Sequence, residues 1–219
     1  GAVALEFASL WNAAGCEVTL LIRKDRVLST WERRASMTLT RELKRRGVNV
    51  IARTAVDRVD TGANLGATVH YRQGDSDEDR TAYGEVVLAA IGRVPNTDAD
   101  WFRSSGLKLD ERGYVTVDGY GRTNLDGVWA LGDITPGHAL AHRAFEQGIT
   151  IAEKIAGADP KPVLDDTVPQ VVFSFPEAAS VGLTLDQAKA REDVVEPKET
   201  AYPMLSNARM LMSGEGGSM

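Results

Sequence analysis

Apolar and polar positions follow two periods along this chain. In the opening stretch "GAVALEFASLWNAAG", Val3, Phe7, Leu10, Trp11 and Ala14 recur at helical spacing and predict one apolar helix face. Gly15 suits the left-handed residue just past a helix end. "CEVTLLIR" follows as a strand rich in Val, Leu, Ile and Thr. "WERRASMTLTRELKRRG" predicts a second helix, with basic residues in its last turn and Gly47 as its stop. "VNVIA" is a second short strand. Helix, strand, helix and strand in such close order is the rhythm of a doubly wound α/β sheet.

From Val56 the pattern changes. "VDRVDTG", "ATVHYRQ" and the stretch leading to "TAYG" predict short antiparallel strands joined by polar turns, among them the acidic loop "QGDSDEDR". "EVVLAAIG" is a continuous apolar run, expected as a buried strand that returns to the parallel sheet. "GVWALGD" is expected as a second buried strand ending in an acid, and "HALAHRAFEQGITIAEKIAG" as a long helix closed by Gly157. The polar, proline-containing "GADPKPVLDDTVP" reads as a domain boundary. Past it, "QVVFSFPEAASVGLT" predicts strands of a new unit, and Thr184 with Gln187 a capping box for the helix "LDQAKAR". The chain then stops in "SGEGGSM".

Composition removes several classes. A length of 219 residues allows one large domain or two small ones. A net charge of -6 argues against a nucleic-acid partner, which usually meets a basic face. No apolar run approaches the ~20 residues of a membrane helix, and no basic segment followed by an apolar one marks a signal peptide. The single cysteine, Cys16, excludes an internal disulfide and a thiolate zinc cluster. Together these predict a cytoplasmic protein.

Three segments carry candidate chemistry. A dinucleotide fingerprint reads G-x-G-x-x-G/A between a strand and a helix. Gly1 fits its second glycine and Ala4 its third position, where a small side chain lets helix and strand pack closely. The helix start then offers free N–H groups and a positive dipole end to a pyrophosphate. About 20 residues on, at the end of the next strand, an acid would accept from the 2′-hydroxyl of NAD. Arg23 and Lys24 stand there, with Arg26 close by, and cations at this place suit the 2′-phosphate of NADP. A solvated basic strand end after a small-residue helix start fits the same residues. In "VLAAIGRVPNT", Gly92 allows close backbone approach, although the segment alone is only a strand-to-loop junction. In "TNLDGVWALGDITPGHALAHRAFEQG", Asp133 ends a strand where open α/β sheets bind ligands, and its carboxylate would accept from sugar or polyol hydroxyls. The helix that follows "ALAH" would steady negative charge on a bound ring. A helix-capping role for Asp133 is the alternative.

In this order the three segments resemble the pyridine nucleotide–disulfide oxidoreductases, the class I flavoprotein disulfide reductases, over nearly the whole chain. The resemblance implies a Rossmann-like α/β fold with two dinucleotide-binding domains, for FAD and NAD(P), present in part and followed by the start of an α+β dimerisation domain. It divides the chain into an NAD(P)-binding domain at 1–92 without its first strand, a second part of the FAD domain at 93–160, and a truncated interface domain at 161–219. It implies that Gly1, Ala2, Val3, Ala4, Leu5 and Glu6 face the pyrophosphate and nicotinamide, with Glu6 on the nicotinamide side. It sets Arg23 and Lys24 at the ribose, Gly92 at the nucleotide crevice, Asp133 on the flavin ribityl chain, and Ala139, Leu140, Ala141 and His142 under the flavin.

"GHALAHRAFEQG" and the late "SNARMLM" are most similar to the dihydrolipoamide dehydrogenase branch. "LLIRKDRVL" looks more like glutathione reductase, in which a second arginine follows six residues after the first; Ser29 holds that place here. The expected reaction moves electrons among NAD(P)(H), FAD and a dithiol or disulfide, in a homodimer, with a lipoyl group as substrate. The alternatives are an NADPH-dependent reductase of a small disulfide such as glutathione or mycothione, and a non-catalytic nucleotide-binding module if the chain is complete. The family's redox-active cysteine pair and first FAD motif lie upstream, and its His–Glu pair near the far C-terminus. Cys16 stands alone beside a strand, His138 and His142 belong to the flavin segment, and His70 is expected on the surface of a hairpin. No catalytic residue is therefore assigned. The chain is expected to be an internal piece of the enzyme, unstable or prone to associate by itself.

Overall fold

The computed structural model describes residues 1–62 and 66–213. The closing "SGEGGSM" lies outside the described residues from Gly214 onward. Two compact units emerge: the first joins 1–91 with 171–219, and the second spans 92–170.

The first unit opens with α1 (Ala2–Ala13), after which Gly15 takes φ +87°. Alanine, leucine and glutamate favour helix here, and no proline interrupts them. The expected apolar face is not the buried one. Val3, Phe7 and Leu10 stay 39–60% exposed, while Leu5, Ala8 and Ser9 pack inward. α1 is apolar on most of its circumference, so spacing alone does not select a side. The side with small Ala8 and Ser9 allows the closest approach to its neighbours.

β1 (Thr19–Ile22), α2 (Arg33–Arg45) and β2 (Asn49–Ala52) follow as the pattern predicts. β1 and β2 run parallel, from Thr19 opposite Asn49 to Ile22 opposite Ala52. The Glu32 carboxylate accepts from the Arg33 N–H at 2.9 Å to start α2, and Gly47 at φ +94° ends it. Leu5, Leu20, Leu39, Leu43 and Val50 share one core. Next come β3 (Thr54–Thr61), β4 (Ala67–Gln73) and β5 (Arg80–Gly84), an antiparallel three-stranded sheet in that order. Thr54, Val69 and Tyr71 are its buried side chains. His70 is less exposed than expected. Its side chain is 14% accessible, with Nε2 3.0 Å from Asp60 and Nδ1 3.3 Å from Asp79.

The second unit contains α3 (Asp100–Ser104) and α4 (Ala141–Ile155), the latter followed by Gly157 at φ +84°. Phe102, Val115 and Ala130 form its core. β6 (Gln170–Val172) and β7 (Ala178–Ser180) pair with each other, and Val172 is fully buried in the core of the first unit. α5 (Leu185–Lys189) carries the expected capping box. The Gln187 N–H donates to the Thr184 hydroxyl at 3.3 Å, and the Thr184 N–H to the Gln187 side chain at 2.8 Å. α6 (Ala208–Ser213) ends the described chain.

Two expected strands are absent from the described structure. Residues 85–92 join no ladder, and Val86 and Ile91 are 71% and 94% exposed. Residues 127–133 make only a single bridge, between Trp129 and Arg122. A continuous apolar run becomes a buried strand only between neighbouring strands. Among the described residues the parallel sheet holds β1 and β2 alone, and neither segment pairs with it.

Gly121 locks the second unit. At φ +77° an added Cβ would lie 2.8 Å from Ile151 Cδ1 and 2.9 Å from the Ala130 carbonyl oxygen. The backbone oxygen has little freedom to retreat, and the left-handed conformation adds strain for any residue with a Cβ. Gly121→Ala is therefore expected to destabilise this unit by about 1–3 kcal/mol, read as a lower midpoint in urea.

Candidate functional site

In the first unit, α1 starts at Gly1 with no side-chain cap and no acid in its first turn. A Cβ placed on Gly1 would meet nothing within 4 Å. Ala2 and Ala4 from the helix start and Ile22 from the end of β1 border the same core, which small residues at positions 2 and 4 permit. Val3 is 40% exposed, whereas Leu5 is 1% exposed and its side chain belongs to the core. Glu6 is half-buried, and its Oε1 accepts from the Phe173 N–H at 3.0 Å. Ser9 accepts from the Phe175 N–H at 3.1 Å, so α1 holds alternate amides of the 173–175 segment.

Arg23 and Lys24 directly follow β1 and are exposed. Among the described residues neither side chain has a hydrogen-bond or ion-pair partner. Arg26 differs. Its Nη1 pairs with Asp25 at 3.1 Å and its Nη2 donates to the Ser29 carbonyl at 3.0 Å. Two cations at this strand end are thus available to a ligand, and Arg26 is engaged.

The second unit brings the other two segments together. Gly92 is exposed at φ +123°, and the Arg93 guanidinium beside it lies 3.9 Å from the Asp133 carboxylate. Asp133 sits in a single helical turn, Gly132–Ile134. The Gly132 N–H donates to the Gln147 side chain at 2.9 Å, and the Gly132 carbonyl accepts from the Thr135 N–H at 3.0 Å and its hydroxyl at 2.8 Å. At φ +73° a Cβ on Gly132 would stand 3.4 Å from Ala144 Cβ. The turn is therefore fastened to α4, and it presents an exposed carboxylate that can accept hydrogen bonds from hydroxyl groups.

α4 starts at Leu140 without a side-chain cap, which leaves its first N–H groups and positive dipole end free to meet negative charge. Ala139 and Ala141 are exposed, and Leu140 is half-buried. His142 Nε2 donates to the Pro169 carbonyl at 2.8 Å, which places a proton on that nitrogen. His138 Nε2 lies 3.3 Å from the Gln170 amide nitrogen.

Motif reading passes over Gln147 and Arg143. Arg143 is 5% exposed and joins Asp165 at 2.6 Å. Their signal is the spacing from 143 to 147, which puts both on one face of α4 together with buried Thr150 and Ile151.

Residues 1–148 match the family model described as pyridine nucleotide-disulphide oxidoreductase. The mixed α/β structure has the fold of the FAD/NAD(P)-binding oxidoreductases, with a TM-score of 0.86 and 30% identity to LpdA from Mycobacterium tuberculosis, covering 99% of this chain and 45% of that one. The chain belongs to the pyridine nucleotide-disulphide oxidoreductase family.

Two of its relatives are the dihydrolipoyl dehydrogenases of Cupriavidus necator, 36% identical over 98% of this chain, and of Geobacillus stearothermophilus, 37% identical over 96%. The chain spans 44% of the length of each. The HOCl-induced flavoprotein disulfide reductase RclA from Escherichia coli aligns with all of this chain and 48% of its own, at a TM-score of 0.84 and 26% identity. Among the described residues no helix is long and apolar enough to cross a membrane.

Proposed function

We propose that this chain forms the nucleotide-binding part of a flavoprotein disulfide oxidoreductase of the dihydrolipoyl dehydrogenase type. The whole enzyme would exchange electrons among NAD(P)(H), FAD and a dithiol or disulfide, as a cytoplasmic homodimer acting on a lipoyl group. The observation that carries this reading is the agreement of relatives named dihydrolipoyl dehydrogenase with 96–98% of the chain, beside a family match over residues 1–148, which hold every candidate segment.

In this reading residues 1–92 hold NAD(P), 93–160 complete the FAD domain, and 161–219 open the interface domain. The start of α1, from Gly1 to Ala4, receives the pyrophosphate. The Leu5 side chain is fixed in the core, so Leu5 contributes through the backbone alone. Glu6 borders the nicotinamide, Arg23 and Lys24 meet the ribose, and Gly92 lines the crevice. Asp133 holds the flavin ribityl hydroxyls, with Ala139, Leu140, Ala141 and His142 beneath the ring. The fit of these residues to a flavin is supported by the fixed Gly132–Asp133 turn and the uncapped start of α4. FAD, when bound, supplies the redox chemistry, and the protein positions it. No nucleophile or general base is assigned to this chain.

The unpaired cations after β1 favour a second reading, an NADPH-dependent reductase of a small disulfide. Steady-state assays of the full-length enzyme separate the two. Turnover of lipoamide supports the first, and turnover of a glutathione-type disulfide with NADPH supports the second. Turnover of neither overturns both. Arg23→Glu is expected to lower kcat/KM for NADPH about tenfold or more, because it sets a carboxylate against a phosphate. An unchanged NADPH constant would remove Arg23 from the ribose site.

A further inference from the structure

We propose that Arg53 is a third cation of the ribose end of this site and selects for a 2′-phosphate. The inference rests on the reading of Arg23 and Lys24 as ribose residues. A phosphomonoester carries close to two negative charges and three acceptor oxygens at neutral pH, more than two mobile side chains readily satisfy. Arg26, the nearest additional cation in sequence, is held by Asp25 and the Ser29 carbonyl.

The sheet supplies another. Ile22 stands opposite Ala52 in parallel register, so Arg23 and Arg53 are the residues that leave the two strands at the same, carboxyl, end. Open α/β sheets bind their ligands at that end. The Arg53 N–H donates to the Lys24 carbonyl at 3.1 Å, which brings the two backbones together. The Arg53 carbonyl accepts from the Gly74 N–H at 2.8 Å, and the neighbouring Ala52 carbonyl accepts from the Gln73 side chain at 3.2 Å. Its backbone is therefore pinned while its side chain is exposed and, among the described residues, has no partner.

Two further facts point the same way. Arg53 holds φ +56°, a conformation in which glycine would be free of strain, yet a long cation occupies it. Residues 23–53 also carry ten Lys or Arg against three carboxylates, in a chain of net charge -6. Positive charge is thus concentrated in this stretch of sequence, and a basic stretch attracts anionic ligands. The guanidinium fork matches phosphate oxygens two at a time.

The test uses the full-length holoenzyme and measures calorimetric affinity for 2′,5′-ADP and for 5′-AMP, together with KM for NADPH and NADH. Arg53→Gly relieves the backbone and so keeps the fold. It is expected to weaken 2′,5′-ADP and raise KM for NADPH about tenfold, with 5′-AMP and NADH within twofold. Arg53→Lys keeps the charge without the fork and is expected to lose less 2′,5′-ADP affinity than Arg53→Gly, with 5′-AMP and NADH unchanged within about twofold. Equal weakening of both nucleotides would make Arg53 structural and overturn the proposal, as would an unchanged 2′,5′-ADP affinity. Arg23→Glu, run in parallel, separates the levels. If it weakens 2′,5′-ADP and Arg53→Gly does not, the ribose site stands without Arg53. If neither variant discriminates between the two nucleotides, the ribose reading falls, and Arg53 with it.

Discussion

Arg143→Ala is expected to destabilise the second unit by about 3 kcal/mol and to loosen the Gly132–Asp133 turn. The reason is what the guanidinium leaves behind. Nε donates to Asp165 at 2.6 Å, Nη2 to the Pro136 carbonyl at 2.5 Å, and Nη1 reaches the Thr135 hydroxyl at 3.4 Å. That hydroxyl in turn donates to the Gly132 carbonyl. Removing the cation strips the Pro136 carbonyl and the Asp165 carboxylate of a buried donor, and an unmade buried bond costs more than the formed bond contributes net. The Asp165 side chain is 41% exposed, so water repairs part of the loss and keeps the cost below that of a fully enclosed pair. Gly137 shows how tight the arrangement is, because an added Cβ would overlap both the Arg143 guanidinium and the Asp165 carboxylate. Arg143→Lys keeps the charge without the fork and should lose less than alanine. In the full-length enzyme the alanine variant should melt about 5 °C lower or more and release flavin at lower urea than its parent. A parent-like melting curve and flavin content would show that the clamp is not needed.

The parts of the fold that declared themselves in sequence are those whose causes are local. α2 and α4 stop at Gly47 and Gly157, both in the left-handed conformation that glycine adopts readily, and α5 begins at a capping box closed by residues three apart. The three antiparallel strands follow their polar turns. What sequence reading misplaced depends on neighbours distant along the chain. The buried side of α1 is decided by the strands and by Val172, more than 150 residues away, not by the spacing of its apolar residues. The expected strands at 85–92 and 127–133 have the right composition, but a strand is defined by pairing, which composition does not supply. The site divides in the same way. Glycines, the strand-end cations and Asp133 were visible as motifs. Gln147 and Arg143 act on residues 15 and 22 positions away, and Arg53 gains its meaning only when β2 is set beside β1.

The same pairing argument sets the expected behaviour of the isolated polypeptide. The first unit leaves Val3, Phe7, Leu10, Val86, Val87, Leu88 and Ile91 at 39–94% exposure. Among the described residues, β1 pairs on one edge only, so an open strand edge adds unmade backbone hydrogen bonds to this apolar surface. Complete burial of one such side chain contributes about 1.5–3 kcal/mol, and association costs about 4–15 kcal/mol in lost freedom. Seven side chains on each copy can therefore outweigh that cost even when each is covered only in part. A charge of -6 opposes close approach weakly once physiological salt limits its range to about 8 Å. The purified 219-residue chain is expected to bind a hydrophobic dye and to elute in multi-angle light scattering as dimers and larger species at micromolar concentration. Val86→Asp with Leu88→Lys should shift it toward monomer, since both side chains lie on the surface and neither belongs to the core. A monomeric parent chain that unfolds cooperatively and reversibly, without dye binding, would mean that these apolar side chains are covered within a single copy.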